Sequence, residues 1–249
     1  MEISQLNDVI ILEKDKLALS YKYENNAKFL NGITVCSYEY DLPKLLEKYA
    51  FYPYNQPSIG EVYIKNPFDE SVFIPIDSFQ TYVIQDKSTC ISDIVRLLGA
   101  SSFHSEFEIS SVKERVWSSD NKVTYKTVQA DLSMKQECMN RLNIKSETNM
   151  EYDVKTFSQE DFQKAIRKVN KYRMQSNPDV RALLKQRNPQ NPPLLKKANF
   201  SVSLSHEVNS SLDIAFNLVV MSGIFNLSSN FKSSVKERYE LIETINVIF

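Results

Sequence analysis

Residues 103–116 read FHSEFEISSVKERV, and this stretch decides the fold. Its apolar side chains alternate with Glu, Lys and Arg, apart from a slip in phase at Ser110-Ser111. Such alternation places apolar and polar side chains on opposite faces of a β-strand, and a slip of one residue is typical of a β-bulge. The stretch therefore predicts one long amphipathic strand.

The residues that follow this strand predict hairpins. Residues 118–121 are a turn signal, a return strand is predicted over 123–132, and a third strand is predicted over 142–154. The alternation recurs near the C-terminus in three predicted strands, over 200–204, 212–220 and 239–249. A turn at Ser222-Gly223 would reverse the chain into the segment that follows. Long strands joined by short turns pair antiparallel, so the predicted fold class is α+β, with long antiparallel β-hairpins and a few packed helices.

The N-terminal part alternates between strand and helix signals. Helices are predicted over 41–49 and 89–98, the second with apolar residues on one face and Gly99 after its last residue. Strands are predicted by β-branched and aromatic residues at Val9 to Leu12, Leu17 to Tyr23, Ile33 to Tyr38, Glu61 to Lys65 and Val72 to Ile76.

The length of 249 residues fits one large domain or two smaller ones. The change in pattern near residue 100 divides the chain into a mixed α/β part, 1–100, and an antiparallel sheet, 101–249. A basic helical insertion is predicted within the sheet at 158–197. One continuous domain is the alternative.

Composition argues against several classes of protein. Four glycines are far fewer than the usual share of about 7%, and no GxGxxG or Walker A motif occurs, so we predict no nucleotide-cradling loop and no cofactor. Cys36, Cys90 and Cys138 form no CxxC pair, which favours buried free thiols in a reducing compartment. The N-terminus lacks a signal-peptide pattern and no apolar stretch is long enough for a membrane helix, so we expect a cytoplasmic protein with no transmembrane helix.

The most pronounced charge feature lies between residues 163 and 200. This segment contains a single acid, Asp179, in a chain of net charge −1, so the remainder of the chain is correspondingly acidic. Its basic residues are Lys164, Arg167, Lys168, Lys171, Arg173, Arg181, Lys185, Arg187, Lys196 and Lys197.

Two helices are predicted to carry these charges. The first begins near Ser158 and buries a stripe of Phe162, Ile166 and Val169, so that its Lys and Arg side chains point away from the core. The second runs from Asp179 to Gln186, and a proline-rich extended connector follows it.

A basic helical segment of this kind favours an acidic partner, because Lys and Arg that meet phosphates release counterions and add affinity. We predict a non-catalytic interaction or assembly protein in which the ten basic residues bind the partner or its phosphates. The expected partners are an acidic protein surface or a second copy of the chain, with nucleic acid and an anionic membrane as alternatives. The opposing interpretation is that these charges solvate a helical face and pair with acids elsewhere.

No catalytic or metal-ligating set is predicted. The two histidines are His104 and His206, and His104 alternates with Glu106 and Glu108. That spacing could present metal ligands on one strand face, but it also describes the wet side of an ordinary sheet. No cysteine stands in a nucleophile motif, so the chain is expected not to be an enzyme.

Three further hypotheses stay open. One is a membrane-perturbing effector that inserts its amphipathic hairpins, and another is an enzyme with dispersed carboxylates and one histidine. The third concerns the hexapeptide SSVKER, which occurs at 110–115 and at 233–238 and hints at a duplicated hairpin unit.

Overall fold

A computed structural model describes residues 6–23, 32–117, 123–128, 131–153, 157–222 and 237–249. These residues form seven α-helices and two five-stranded sheets in which antiparallel pairs predominate, which confirms the predicted α+β class. The chain makes two compact units of three segments each. The first combines Met1–Tyr82, Arg115–Thr124 and Glu207–Arg238, and the second combines Val83–Glu114, Tyr125–His206 and Tyr239–Phe249. The division of the chain at residue 100 stays a prediction about folding domains.

The first unit contains a mixed sheet. Its strands are β1 (Val9–Glu13), β2 (Ile33–Ser37), β3 (Ala50–Phe51), β4 (Val62–Asn66) and β5 (Asp69–Pro75). They lie in the order β2-β1-β4-β5-β3, with β1 parallel to β2, β3 parallel to β5, and β4 antiparallel to both of its neighbours. The first four residues of β1 are all buried, which explains why its sequence is a continuous apolar run.

Aromatic rings fill the core beside this sheet. The ring of Phe51 lies 5.3 Å from that of Tyr63 and 5.7 Å from that of Phe73, and all three side chains are buried. Leu42 and Leu45 of the short helix α2 (Leu42–Leu46) belong to the same cluster. These contacts bury large apolar areas, which stabilise the first unit.

Two predicted strands of this unit, 17–23 and 212–220, are wrong. The first lies in helix α1 (Asp15–Tyr23) and the second in helix α7 (His206–Ser222). Apolar residues alternate in the sequence of α7 as they would in a strand, but Ile214 is 52% exposed and does not belong to the buried face. The buried side chains instead follow the helical spacing, at Val208, Leu212, Ala215 and Phe216.

The second sheet is built on the long strand predicted from residues 103–116. Its strands are β6 (Ser102–Trp117), β7 (Val123–Val128), β8 (Glu147–Glu151), β9 (Lys197–Ser203) and β10 (Glu237–Ile248). They lie in the order β7-β6-β10-β9, and β8 pairs antiparallel with the first residues of β6. Ser101 N donates to Ile248 O and Ser110 Oγ donates to Glu240 O, so β10 runs antiparallel to β6. The 16-residue β6 confirms the predicted long strand.

Four helices and a short turn accompany this sheet. They are α3 (Ile76–Leu97), which begins in the first unit, α4 (Leu132–Arg141), α5 (Gln159–Lys171), a 3-10 turn (Met174–Ser176) and α6 (Pro178–Gln186). Helix α3 is 22 residues long and starts well before the predicted helix.

The return strand and the third strand are both shorter than predicted. The return strand ends at Val128, because the side chain of Asp131 accepts from the N–H of Met134 and caps α4. The third strand covers only Glu147–Glu151. The predicted turn at 118–121 and the reversal after Ser222 lie outside the described residues, as does most of the second SSVKER copy.

Candidate functional site

Helix α5 presents one apolar face and one basic face. Its N-cap is Ser158, whose Oγ accepts from the N–H of Asp161 at 3.1 Å, as the sequence predicts. Phe162, Ala165 and Val169 are buried. Because residues three and four apart share a face of a helix, the exposed Lys164, Arg167 and Lys171 lie on the side opposite this stripe.

Helix α6 is fixed at its start by Asn177. The Oδ1 of Asn177 accepts from the N–H of Asp179 at 2.8 Å and of Val180 at 3.3 Å, while its Nδ2 donates to Ser201 O at 3.0 Å. One side chain therefore caps the helix and ties it to β9. The buried residues Val180 and Leu183 leave the basic side chains of α6 on its outer face.

The ten predicted site residues fall into three groups by environment. Eight are exposed: Lys164, Arg167, Lys171, Arg173, Arg181, Lys185, Lys196 and Lys197. Lys168 is half-buried, and its Nζ lies 3.0 Å from Asp93 Oδ2. Burial raises the pKa of Asp93, but the nearby cations Lys168 and Arg96 lower it by more, so the pKa lies below its usual value. Lys164 pairs with Glu160 at 2.7 Å. Six of the exposed residues form no ion pair with any described residue: Arg167, Arg173, Arg181, Lys185, Lys196 and Lys197.

Arg187 differs from the other nine predicted site residues, because it is only 6% exposed. Its Nε and Nη2 both donate to Leu98 O, and its Nη1 donates to Leu195 O at 2.8 Å. The guanidinium carbon lies 4.8 Å from the ring centroid of Phe157 and 4.2 Å from that of Phe249. Burial lowers the pKa of Arg187. This cation is used inside the second unit and cannot meet a partner.

The alternating His104, Glu106 and Glu108 do not converge on a metal site. His104 Nδ1 lies 2.7 Å from Asn149 Oδ1 and its Nε2 lies 3.1 Å from Glu106 Oε1. Hydrogen bonds to Asn149 and then to Glu106 raise the pKa of His104, because both ring N–H groups then have acceptors. Within the ranges that the structure describes, no three His, Cys, Asp or Glu side chains are grouped to hold a metal ion.

A pocket of about 340 Å³ opens in the second unit, within the size range of small-molecule sites. One wall is a face of α3 and the opposite walls are β6, β8 and the loop after α4. Its apolar lining consists of Ile84, Phe103, Phe107, Ile144 and Met150. Hydroxyl groups interrupt this lining where Ser88 of α3 and Ser105 of β6 reach the pocket.

Glu243 lies behind these two hydroxyls. It is fully buried, and Ser88 Oγ donates to its Oε1 at 3.2 Å. Among the described residues, its Oε2 has no hydrogen-bond partner and no cation pairs with the carboxylate. Burial raises the pKa of Glu243 to about 7, although the hydroxyls of Ser105 and Ser88 lower it. A buried carboxylate without a cation is unusual, since an unpaired buried charge is destabilising.

Glu243 is not among the site residues predicted from the sequence. The alternation Tyr239, Leu241, Ile245 and Val247 predicts the buried face of the last strand, and Glu243 occupies the middle position of that same face. A carboxylate in register with a buried apolar stripe is a signal that the sequence contains, because acids are almost never fully buried without a partner. Nothing in the sequence indicates that Ser88 contacts Glu243, since the two residues are 155 positions apart.

Comparisons with protein-family models, with curated proteins and with solved structures find no match to this chain. Function is therefore inferred from the residues themselves. In the described part of the chain, no helix combines the length and the apolar character needed to cross a membrane.

Proposed function

We propose that this chain is a non-catalytic interaction protein that binds an acidic partner through the outer faces of α5 and α6. We call this surface the basic surface; it consists of Lys164, Arg167 and Lys171 of α5, Arg181 and Lys185 of α6, and Arg173, Lys196 and Lys197 from the segments that adjoin these helices in the chain. One observation carries the proposal: six of these cations are exposed and form no ion pair with any described residue. Cations without acids beside them attract negative charge from outside the molecule.

The helices that carry these charges are well fixed. Both have side-chain N-caps, and both bury an apolar stripe in the second unit. A rigid scaffold lowers the entropy lost when a partner binds, because only the long side chains have to be ordered. The pair between Lys164 and Glu160 opposes binding little, since solvent screens an exposed ion pair of this spacing.

A charge-reversal variant tests the basic surface. Arg167→Glu combined with Arg181→Glu changes both helices at exposed positions. The matched control is Lys44→Glu combined with Lys48→Glu, two exposed lysines of the first unit, which changes the net charge equally. Fluorescence anisotropy with a labelled single-stranded oligonucleotide and with labelled polyglutamate would report binding to nucleic acid and to an acidic polypeptide. Light scattering at low and high salt would report self-association.

We expect at least one probe, or self-association, to be weakened about tenfold or more by the variant in α5 and α6 and to be nearly unchanged by the control. Binding should also fall steeply with salt: four phosphate contacts predict a loss of about a hundredfold between roughly 50 and 200 mM. Equal losses in both variants would mean that net charge alone acts. Absence of binding and of any salt-dependent mass would leave the basic surface as a solvated helical face.

A cytoplasmic location is part of the same proposal. Its support is that Cys36, Cys90 and Cys138 are buried thiols rather than disulfides, which fits a compartment where thiols stay reduced.

A further inference from the structure

The pocket of the second unit is separate from the basic surface and has a different chemical character. Its body is lined by aromatic and branched side chains, including Phe103, Phe107 and Ile84. Its polar floor is formed by Ser88 and Ser105, with the buried Glu243 carboxylate directly behind them. Other polar side chains, among them Gln85, Asn143 and Thr148, also line the pocket, so it fits a small molecule that combines an apolar body with a polar group.

The floor has unused hydrogen-bonding capacity. Glu243 Oε2 and Ser105 Oγ are both buried and make no well-formed hydrogen bond with a described residue, although the Ser105 hydroxyl lies close enough to Glu243 to lower its pKa. Buried polar atoms are nearly always paired, so unpaired ones beside a cavity indicate that a donor can be accommodated there. Ser88 lines the pocket and its Oγ donates its hydrogen to Glu243 Oε1, so the oxygen keeps its lone pairs as acceptors.

The negative charge of the ionised Glu243 carboxylate determines which ligand charge the pocket would favour. No described cation pairs with Glu243, and the described polar groups that act on its carboxylate are the hydroxyls of Ser88 and Ser105. In a low-dielectric site, a positive group one hydrogen bond away from the carboxylate would be attracted strongly. A neutral or negative polar group would gain much less.

We propose that this pocket binds a small organic amine with an aromatic or branched apolar body, whose ammonium group donates to Ser88 Oγ while Glu243 behind it supplies the counter-charge. Lys145 also lines the pocket and would favour an anionic ligand instead. A comparison of cationic and anionic probes therefore tests the proposal. No covalent step is involved.

Three probes with the same apolar body separate these cases: 2-phenylethylamine, 2-phenylethanol and 3-phenylpropanoate. Calorimetric titration of the whole chain near pH 8, above the Glu243 pKa of about 7, would measure each affinity. We expect the amine to bind at least tenfold more tightly than the alcohol, and the carboxylate probe to bind most weakly. Equal binding of amine and alcohol, tighter binding of the carboxylate probe, or no binding of any probe would overturn the proposal.

Two variants connect the affinity to the named atoms. Glu243→Gln keeps the side-chain size and should reduce the preference for amine over alcohol to less than about threefold. Ser88→Ala should weaken the amine and leave the alcohol probe's apolar contacts in place. Glu70→Gln, an exposed acid of the first unit, is the charge-matched control and should change neither affinity. A preference that survives Glu243→Gln would assign amine binding to another group and contradict the proposal.

Discussion

Two buried ionisable residues, Arg187 and Glu243, show how much environment decides the role of a side chain. Arg187 has all of its contacts inside the second unit, and its neighbour Gly99 has φ +85°; a Cβ there would lie 2.9 Å from Arg187 Nη2. Both the backbone conformation and the lack of space therefore require glycine. Among the described residues, the polar groups that act on Glu243 are the hydroxyls of Ser88 and Ser105, and no cation pairs with it. The first residue is structural, and the second is a candidate for binding.

The raised pKa of Glu243 predicts a specific dependence of stability on pH. Below about pH 4.5 the carboxyl group is neutral in both the folded and the unfolded state, and it contributes no penalty. As the pH rises from there towards the folded-state pKa of about 7, the carboxyl group ionises readily only in the unfolded state, so the free energy of unfolding falls. Above that pKa the total loss is about 3 kcal/mol. Glu243→Gln removes this titration.

Urea unfolding of the wild type and of Glu243→Gln at about pH 4.5 and pH 8 would measure the effect. We expect the unfolding free energy of the variant minus that of the wild type to be about 2–3 kcal/mol larger at pH 8 than at pH 4.5. Titrations that both proteins share cancel in this difference. Glu70→Gln, whose side chain is exposed, should show no such gain. A stability difference that is the same at both pH values would contradict the raised pKa.

At the scale of elements, a cap and a clean buried stripe made prediction possible. Helices α5 and α6 have both signals, and β10 has strict alternation, so each was predicted close to its observed limits. Helices α1 and α7 were predicted as strands, because apolar residues also occupy their exposed faces. In such segments the local pattern fits two periods, and packing against the rest of the fold selects one of them.

Asn177 connects two elements, and its substitution separates capping from tethering. Asn177→Ala removes the acceptor for Asp179 N and Val180 N together with the donor to Ser201 O, so we expect a loss of about 1–2 kcal/mol of unfolding free energy. Asn177→Asp keeps the cap and loses only the donor, so its loss should be smaller. Chemical denaturation would compare them with Asn170→Ala, an exposed position in α5. Equal stability of wild type and Asn177→Ala would rule out this role.

At the scale of the whole molecule, all three cysteines are enclosed. Cys36, Cys90 and Cys138 are each no more than 2% exposed, and burial raises the pKa of Cys90 to about 12, against the smaller opposing effect of Lys168. Because the thiolate is the reactive form, the native protein should react very slowly with Ellman's reagent near pH 8. All three thiols should react at once in denaturant.

Gln175→Cys is the control for this measurement, since Gln175 is exposed and a thiol there should react at the normal rate in the native protein. Rapid reaction of any natural cysteine without denaturant would show that the unit around it opens readily.

The sequence by itself determined the α+β class, the long strand β6, the alternation of β10 and the concentration of positive charge on α5 and α6, because periodicity, caps and composition are local properties. Only the tertiary structure decided which cations are exposed: it buried Arg187 between two rings and paired Lys168 with Asp93. It also brought Ser88 to Glu243 across 155 residues and placed Ser88 in the lining of a pocket. The physical reason is that burial and long-range contact depend on how elements pack, and a linear pattern specifies a face of an element without specifying what covers it.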